Sequence, residues 1–198
     1  MTIKFKDTKI HISFFFGLTV ALIGLADKTN TIFLCLLSAI IHEAGHLAVL
    51  LLNSEKPKEI RITPFGMRIE RLPDLSMSFK REILCAFAGP FINILVFLLF
   101  KGNRFSEINL TIGLFNLLPC EPLDGNKILE NFLRLRFSQT TTEKISVVVS
   151  SITVFPVAIA GFLILIKSRY NFSLLLISFY MIFFIAMKKR RCHEISPE

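Results

Sequence analysis

The sequence has no Trp and only 2 Tyr in 198 residues, so aromatic anchoring at a membrane surface falls largely to its 21 Phe. Charged residues are also scarce, at 19% of the chain. Hydrophobic residues make up 53%, and the mean hydropathy is +0.60. A soluble domain of this length does not need so much apolar surface, so the composition excludes that class and predicts a polytopic membrane protein.

Cysteine is rare as well, with Cys35, Cys85, Cys120 and Cys192 as the four examples. None of them belongs to a Cys-x-x-Cys pair, so a cysteine zinc site of the usual spacing is not expected. Cys35 and Cys85 lie in apolar runs and are interpreted as buried free thiols. Cys120 lies in a polar segment with candidate metal ligands, so a metal role for its sulfur remains an open alternative.

The excess of positive charge does not indicate a nucleic-acid partner. The net charge is +8, but Lys and Arg flank the apolar runs, where membrane orientation requires them. The basic clusters 56–61, 68–71 and 188–191 would all lie on the same side as the N-terminus if the chain crosses the membrane six times. This pattern predicts an integral membrane protein with both termini in the cytoplasm.

Six apolar runs predict spanning helices, because a span needs about 20 mostly apolar residues. They cover residues 10–26, 31–52, 83–100, 108–118, 145–166 and 172–187. The fourth is short and leads into a segment rich in proline. The predicted fold class is therefore an all-α polytopic membrane protein, forming a single domain over residues 1–198.

One segment between the second and third runs has a different pattern. Residues Glu59–Leu72, "EIRITPFGMRIERL", partly alternate polar and apolar side chains around Phe65 and Gly66. Alternation with a period of two is typical of strands. The segment predicts a short membrane-associated β-hairpin, with an ordinary cytoplasmic loop as the alternative.

The second apolar run contains "IIHEAGHL", in which His42, Glu43 and His46 have the spacing His-Glu-x-x-His. Residues four apart share one face of a helix, so both imidazoles can bind one Zn²⁺ while the adjacent glutamate acts as general base. A strongly charged group at this depth costs roughly 2.5–3.5 kcal/mol. Three ionisable groups so close together are therefore better explained by a catalytic zinc than by chance.

A catalytic zinc usually has a third protein ligand. The other histidines, His11 and His193, are interpreted as interfacial or solvated residues. The segment "NLLPCEPLDGNK" (Asn116–Lys127) interrupts the apolar pattern with two prolines, and irregular backbone at membrane depth occurs where it lines a cavity or is buried in protein. Asp124 is the favoured third ligand, Glu121 is its rival, and a role for Asp124 as a helix N-cap is a further alternative.

Together these motifs resemble the site-2 protease family of intramembrane zinc metalloproteases. "IIHEAGHL" is similar to the first family signature, and "NLLPCEPLDG" to the second, in which a Leu-Asp-Gly element carries the remaining zinc ligand. "FAGPFIN" resembles the Gly-Pro stretch of the intervening helix, and "ITPFGMRIE" the membrane-associated hairpin. Within the family the sequence looks most like the stage IV sporulation FB type without its CBS domain.

The resemblance implies an intramembrane endopeptidase that holds one zinc ion through His42, His46 and Asp124, with Glu43 as general base. Asn116 is a candidate donor to the substrate, and Phe65 and Gly66 are candidates for presenting the substrate as a strand.

The implied partners are the lipid bilayer, a membrane protein substrate and a regulatory membrane protein. The substrate class would be one released by regulated proteolysis, such as a transcription factor precursor. A membrane transporter and a catalytically inactive scaffold are the alternative functions, and the oligomeric state is left open.

Overall fold

The computed structural model describes residues 2–5, 8–13, 17–18, 29–52, 59–63, 66–70, 78–168 and 172–195. These residues form six helices: α1 (Thr31–Leu52), α2 (Phe79–Leu99), α3 (Arg104–Asn116), α4 (Asp124–Arg134), α5 (Gln139–Ser168) and α6 (Ser173–Ile195). They also form four strands: β1 (Thr2–Phe5), β2 (Thr8–Ile12), β3 (Glu59–Thr63) and β4 (Gly66–Glu70).

The four strands make one sheet in the order β1-β2-β3-β4. β1 and β2 are antiparallel, β2 and β3 are parallel, and β3 and β4 are antiparallel. In the last pair Thr63 lies opposite Gly66. Gly66 is therefore the first residue of β4, whereas the sequence pattern predicted that it lies in the turn. Phe65 lies outside the described residues.

The start of the first predicted helix is wrong. Residues 10–12 belong to β2, where Ile10 lies opposite Ile60 of β3. The stretch "KIHI" already alternates polar and apolar residues, which favours a strand. The hydropathy of the apolar run that follows nevertheless predicts a helix from residue 10. Most of that run lies outside the described residues.

The other predicted helices are present, and all but one of them have shifted ends. The second run coincides with α1 at residues 31–52, whereas the helices at runs three, four and five begin four to six residues earlier than predicted. The first turn of α2 includes Lys80, Arg81 and Glu82. Helical hydrogen bonding continues through such charged residues beyond the apolar segment, so hydropathy alone places the helix ends too far inward.

Exposed and buried side chains show that this is an integral membrane protein. Three described helices, α1, α2 and α5, are long and apolar enough to cross a membrane. Phe33, Ile40 and Phe155 on these helices are each 64–66% exposed, whereas Asn93 and Ser150 are fully buried. Soluble proteins have the opposite distribution, so the exposed apolar surface fits lipid rather than water.

The chain divides into two compact units. The first comprises residues 1–78 and 88–113, and it includes the sheet, α1 and most of α2 and α3. Gly45 of α1 approaches α2 so closely that a Cβ there would lie 2.7 Å from the carbonyl oxygen of Ala88. The small residue is needed because the backbones of the two helices approach each other closely at this point.

The second unit comprises residues 79–87 and 114–198, and it includes α4, α5 and α6. Its apolar core is formed by Cys120, Val154, Met181 and Ile185. Gly161 of α5 lies against the start of α6, where a Cβ would lie 2.9 Å from the backbone nitrogen of Leu175. The missing side chain at Gly161 therefore lets α5 and α6 pack closely at this point. The single domain predicted from the sequence stays a prediction.

Candidate metal centre

His42 and His46 lie one turn apart on α1, and both are buried, at 6% and 9% exposed. Their Nε2 atoms are 3.2 Å apart. The two ring planes are nearly perpendicular, at 84°. Two ring nitrogens that converge in this way can bind the same ion, which is the arrangement that the spacing of four residues predicted.

Asn93 of α2 determines which nitrogen of His42 faces the site. The amide nitrogen of Asn93 donates to the backbone oxygen of Ser38 at 3.3 Å and to Oδ1 of Asn109 at 3.0 Å. Its Oδ1 therefore faces Nδ1 of His42, at 3.1 Å. Because Oδ1 can only accept, Nδ1 of His42 donates and the lone pair is on Nε2, the nitrogen a metal would need.

The same network continues into α3 and back to α1. The amide nitrogen of Asn109 donates to Oγ of Ser38 at 2.8 Å and to the backbone oxygen of Phe105 at 2.9 Å. Ser38, Asn93 and Asn109 are all fully buried, so this network holds His42 in one orientation in a dry environment. Neither Ser38 nor Asn93 was among the site residues predicted from the sequence, although Ser38 lies one turn before His42 on the same helix face.

The small residue in "FAGPFIN" is Gly89 of α2, and its neighbours explain why no side chain fits there. A Cβ at this position would lie 2.4 Å from Nε2 of His46 and 2.8 Å from Nε2 of His42. Any larger residue would push the imidazoles out of their positions. The glycine of this motif therefore makes room for the candidate metal ligands.

Asp124 belongs to the second unit and is the first residue of α4, with only 4% of its surface exposed. The N-cap of α4 is Leu123, so Asp124 is not the capping residue. Nζ of Lys127 lies 2.7 Å from Oδ1 of Asp124. A carboxylate in the first helical turn is also favoured by the positive end of the helix dipole, so the ionised form that a metal requires is stabilised locally.

Gly125 is required by the chain segment that precedes α4. A Cβ on Gly125 would lie 2.2 Å from the carbonyl oxygen of Leu117 and 2.4 Å from that of Leu118. Gly125 is the second residue of α4, so a turn conformation is not the reason for a glycine here. The missing side chain instead lets the backbone at Leu117 and Leu118 pass close to the start of α4. This packing buries Asp124.

The rival ligands have other partners within the second unit. The carboxylate of Glu121 accepts a hydrogen bond from Nζ of Lys188. The thiol of Cys120 is fully buried and lies 3.6 Å from the backbone oxygen of Ser150 as a hydrogen-bond donor. Both residues therefore have structural contacts that account for their positions.

The remaining site candidates are placed as follows. Glu43 is partly buried on α1, directly after His42, and Asn116 is partly buried as the last residue of α3. His11 is exposed on β2. For Gly66 and His193 the structure gives only the backbone, in β4 and α6.

Among the described residues, His42 and His46 of the first unit each offer a ring nitrogen, and Asp124 of the second unit offers a carboxylate oxygen. Two imidazole nitrogens and one carboxylate oxygen are a donor set that suits catalytic zinc, which keeps a fourth position for water or substrate. The space that Gly89 leaves beside both Nε2 atoms also fits an ion bound there. The residues present therefore fit zinc.

Comparisons with known proteins agree with this chemistry. Residues 103–160 match the sequence model of Peptidase family M50. The chain is 26% identical over 210 residues to the zinc metalloprotease MJ0392 of Methanocaldococcus jannaschii, covering 94% of this chain and 58% of that protein. It is 32% identical over 135 residues to stage IV sporulation protein FB of Bacillus subtilis, covering 61% of this chain and 46% of that protein.

The chain thus spans about half the length of these curated relatives. The solved structure of the site-2 protease from Methanocaldococcus jannaschii has the same fold, with a TM-score of 0.64 at 24% identity, covering 95% of both chains. These comparisons agree with the resemblance found in the motifs: the chain is similar in sequence to zinc metalloproteases, residues 103–160 match Peptidase family M50, and the fold is that of the site-2 protease structure.

Proposed function

We propose that this chain is an intramembrane zinc metalloendopeptidase that cuts a membrane-embedded or membrane-tethered protein. The observation that carries the proposal is the convergence of two buried imidazoles on an apolar helix, with Nδ1 of His42 bonded to Asn93. The relatives named as zinc metalloproteases support the same chemistry. Because the proposed substrate lies in or at the membrane, the metal and the residues that bind it must lie there too. This explains why α1 contains ionisable residues.

Zinc, when bound by His42, His46 and Asp124, would supply a Lewis acid for a water molecule and the scissile carbonyl. Glu43 would take a proton from the attacking water on a carboxylate oxygen and pass it to the leaving amine. The new C–O bond forms as the peptide C–N bond breaks, so the products are a carboxylic acid and an amine. Asn116 would donate from its amide nitrogen to the developing negative charge on the substrate oxygen.

The reaction can be tested by removing the metal. We expect 1,10-phenanthroline to stop cleavage by the detergent-purified protein, and added zinc to restore it. The substrates are single-span membrane proteins chosen by co-expression and mass spectrometry of their products. The isomer 1,7-phenanthroline does not chelate and is the matched control. Cleavage that survives chelation would contradict the proposal, and zinc binding without cleavage of any candidate would favour a transporter or a scaffold.

The substrate must expose a carbonyl that a helix keeps hydrogen-bonded, so we propose that it binds as a strand. β4 lies at one end of the sheet order, and among the described strands it pairs only with β3. An edge of this kind can accept an extended segment through backbone hydrogen bonds. Gly66, the first residue of β4, and Phe65, which precedes it in the sequence, are the residues proposed to present the substrate.

Gly66→Val should lower cleavage several-fold while zinc content and membrane abundance stay near those of the wild type. Valine is well tolerated in strands, so the pairing of β4 with β3 should persist, whereas its branched side chain would obstruct a backbone that approaches closely. Product formation and zinc content are measured on the same preparations. Normal cleavage would show that the edge is not used, and loss of zinc would assign Gly66 to the structural core.

We further propose six spans with both termini in the cytoplasm of a bacterial cell. The arrangement of Lys and Arg supports this orientation. Reporter fusions at Lys28 and Lys101 should give the signal of the outer side, and fusions after Arg191 that of the cytoplasm. A cytoplasmic signal at Lys101 would contradict the six-span topology. Regulated release of a membrane-tethered protein, under control of a second membrane protein, is proposed as the biological context.

A further inference from the structure

Lys188 lies in the run "KKRR" at the end of α6, where the sequence analysis assigned its charge to membrane orientation. It is only 8% exposed, whereas the next two residues, Lys189 and Arg190, are exposed. Ser178, Met181, Ile185 and Lys188 are all buried and follow the three-to-four residue spacing of one helix face. Lys188 therefore extends the core-facing stripe of α6 and is not a surface charge.

The buried ammonium of Lys188 has three acceptors. Nζ donates to carboxylate oxygens of Glu121 and Glu130 and, at 3.1 Å, to Oγ of Ser146. Both carboxylates are themselves mostly buried, with 21% and 15% of their side chains exposed. An ammonium has three N–H donors, so all the donors of Lys188 are used within the second unit.

The two glutamates that Lys188 contacts lie before and after Asp124 in the sequence. Glu121 precedes Asp124 by three residues, in the segment between α3 and α4, and Glu130 follows it by six residues on α4. Ser146 donates from its hydroxyl to Oδ1 of Asn126 at 2.8 Å, two residues after Asp124. The backbone nitrogen of Glu121 also donates to Oγ of Ser150, at 3.2 Å. Lys188 thereby connects α6 and α5 to the chain before and after the aspartate.

We propose that Lys188 is a positioning residue for the metal ligand Asp124, and that it acts by tying Glu121 and Glu130 to the end of α6. The inference rests on the proposed zinc chemistry, since it assigns α6 a role in metal affinity although none of the three proposed ligands lies on α6. Without the ammonium, two buried carboxylates would lose their main counter-charge. They would repel each other and draw water, and the segment that carries Asp124 would shift or loosen.

The test compares zinc affinity of detergent-purified variants by competition with a chelator of known affinity. Lys188→Met should raise the dissociation constant for zinc by about 10–100-fold, the usual range when a group that orients a ligand is removed. Lys189→Met removes the same charge from the adjacent exposed position and should bind like the wild type. Lys188→Arg keeps the charge and should recover part of the lost affinity.

A second variant separates positioning from stability. Lys188→Met combined with Glu121→Gln and Glu130→Gln removes the unbalanced charge, so its unfolding temperature should return towards that of the wild type while its zinc affinity stays low. Hydrogen exchange of the metal-free protein should show faster exchange across residues 117–123 in Lys188→Met but not in Lys189→Met.

The outcomes against the inference are distinct from failure of the proposed function. If the wild type itself binds no zinc, the proposed function fails. If the wild type binds zinc and Lys188→Met binds it as tightly, the inference is wrong. It is also wrong if the triple variant recovers zinc affinity together with its unfolding temperature, because Lys188 would then act only on stability.

Discussion

Glu43→Gln should lower the rate of substrate cleavage by about 10²–10⁴-fold, the range typical of losing a general acid–base group. Glutamine has nearly the same size as glutamate, but its amide cannot accept the proton from the attacking water. Glu43 follows His42 on α1 and is not one of the three candidate ligands. Zinc content should therefore remain near that of the wild type, which separates loss of chemistry from loss of metal.

The measurement is the amount of cleaved product from a co-expressed membrane substrate, determined by mass spectrometry, with zinc measured on the same preparation. Glu107→Gln is the matched control because Glu107 is exposed on α3. It should cleave like the wild type. A Glu43→Gln variant that cleaves at the normal rate would exclude Glu43 as the general base. Loss of zinc in the Glu43→Gln variant would show that the carboxylate is needed to hold the metal.

Asp124→Asn should weaken zinc binding by more than about 100-fold, beyond the 10–100-fold typical of changes to groups that only orient a ligand. The substitution keeps the shape of the side chain and removes the anionic oxygen that a divalent cation prefers. Two imidazoles would then be the only strong ligands left of the proposed set, fewer than the three that catalytic zinc usually has. Cleavage should be lost together with the metal.

The change at Asp124 also removes its ion pair with Lys127, whose Nζ lies 2.7 Å from Oδ1. Lys127→Met is therefore the appropriate control, since it breaks the ion pair and keeps the carboxylate. Lys127 has 60% of its side chain exposed, so its loss should disturb the fold little. Equal zinc loss in both variants would assign the effect to the ion pair, and an active, zinc-bound Asp124→Asn variant would exclude Asp124 as a ligand.

The sequence by itself predicted the features that depend on neighbouring residues. The apolar run at residues 31–52 predicted the bounds of α1, because the hydropathy of a segment depends only on consecutive residues. The spacing of His42 and His46 predicted that they share a helix face, and their Nε2 atoms do converge. The break between α3 and α4 was visible in its prolines, and it led to Asp124 as a candidate ligand.

Only the tertiary structure decided which distant residues hold these groups in place. Asn93 lies 51 residues from His42, and Lys188 lies 67 residues from Glu121. Neither pairing leaves a periodic signal, because each depends on how helices pack and not on the order of residues within one helix. The same holds for Gly89, whose missing side chain makes room for the imidazoles. The chemistry of the site is therefore encoded locally, and its geometry is set by contacts between helices that the chain brings together only when it folds.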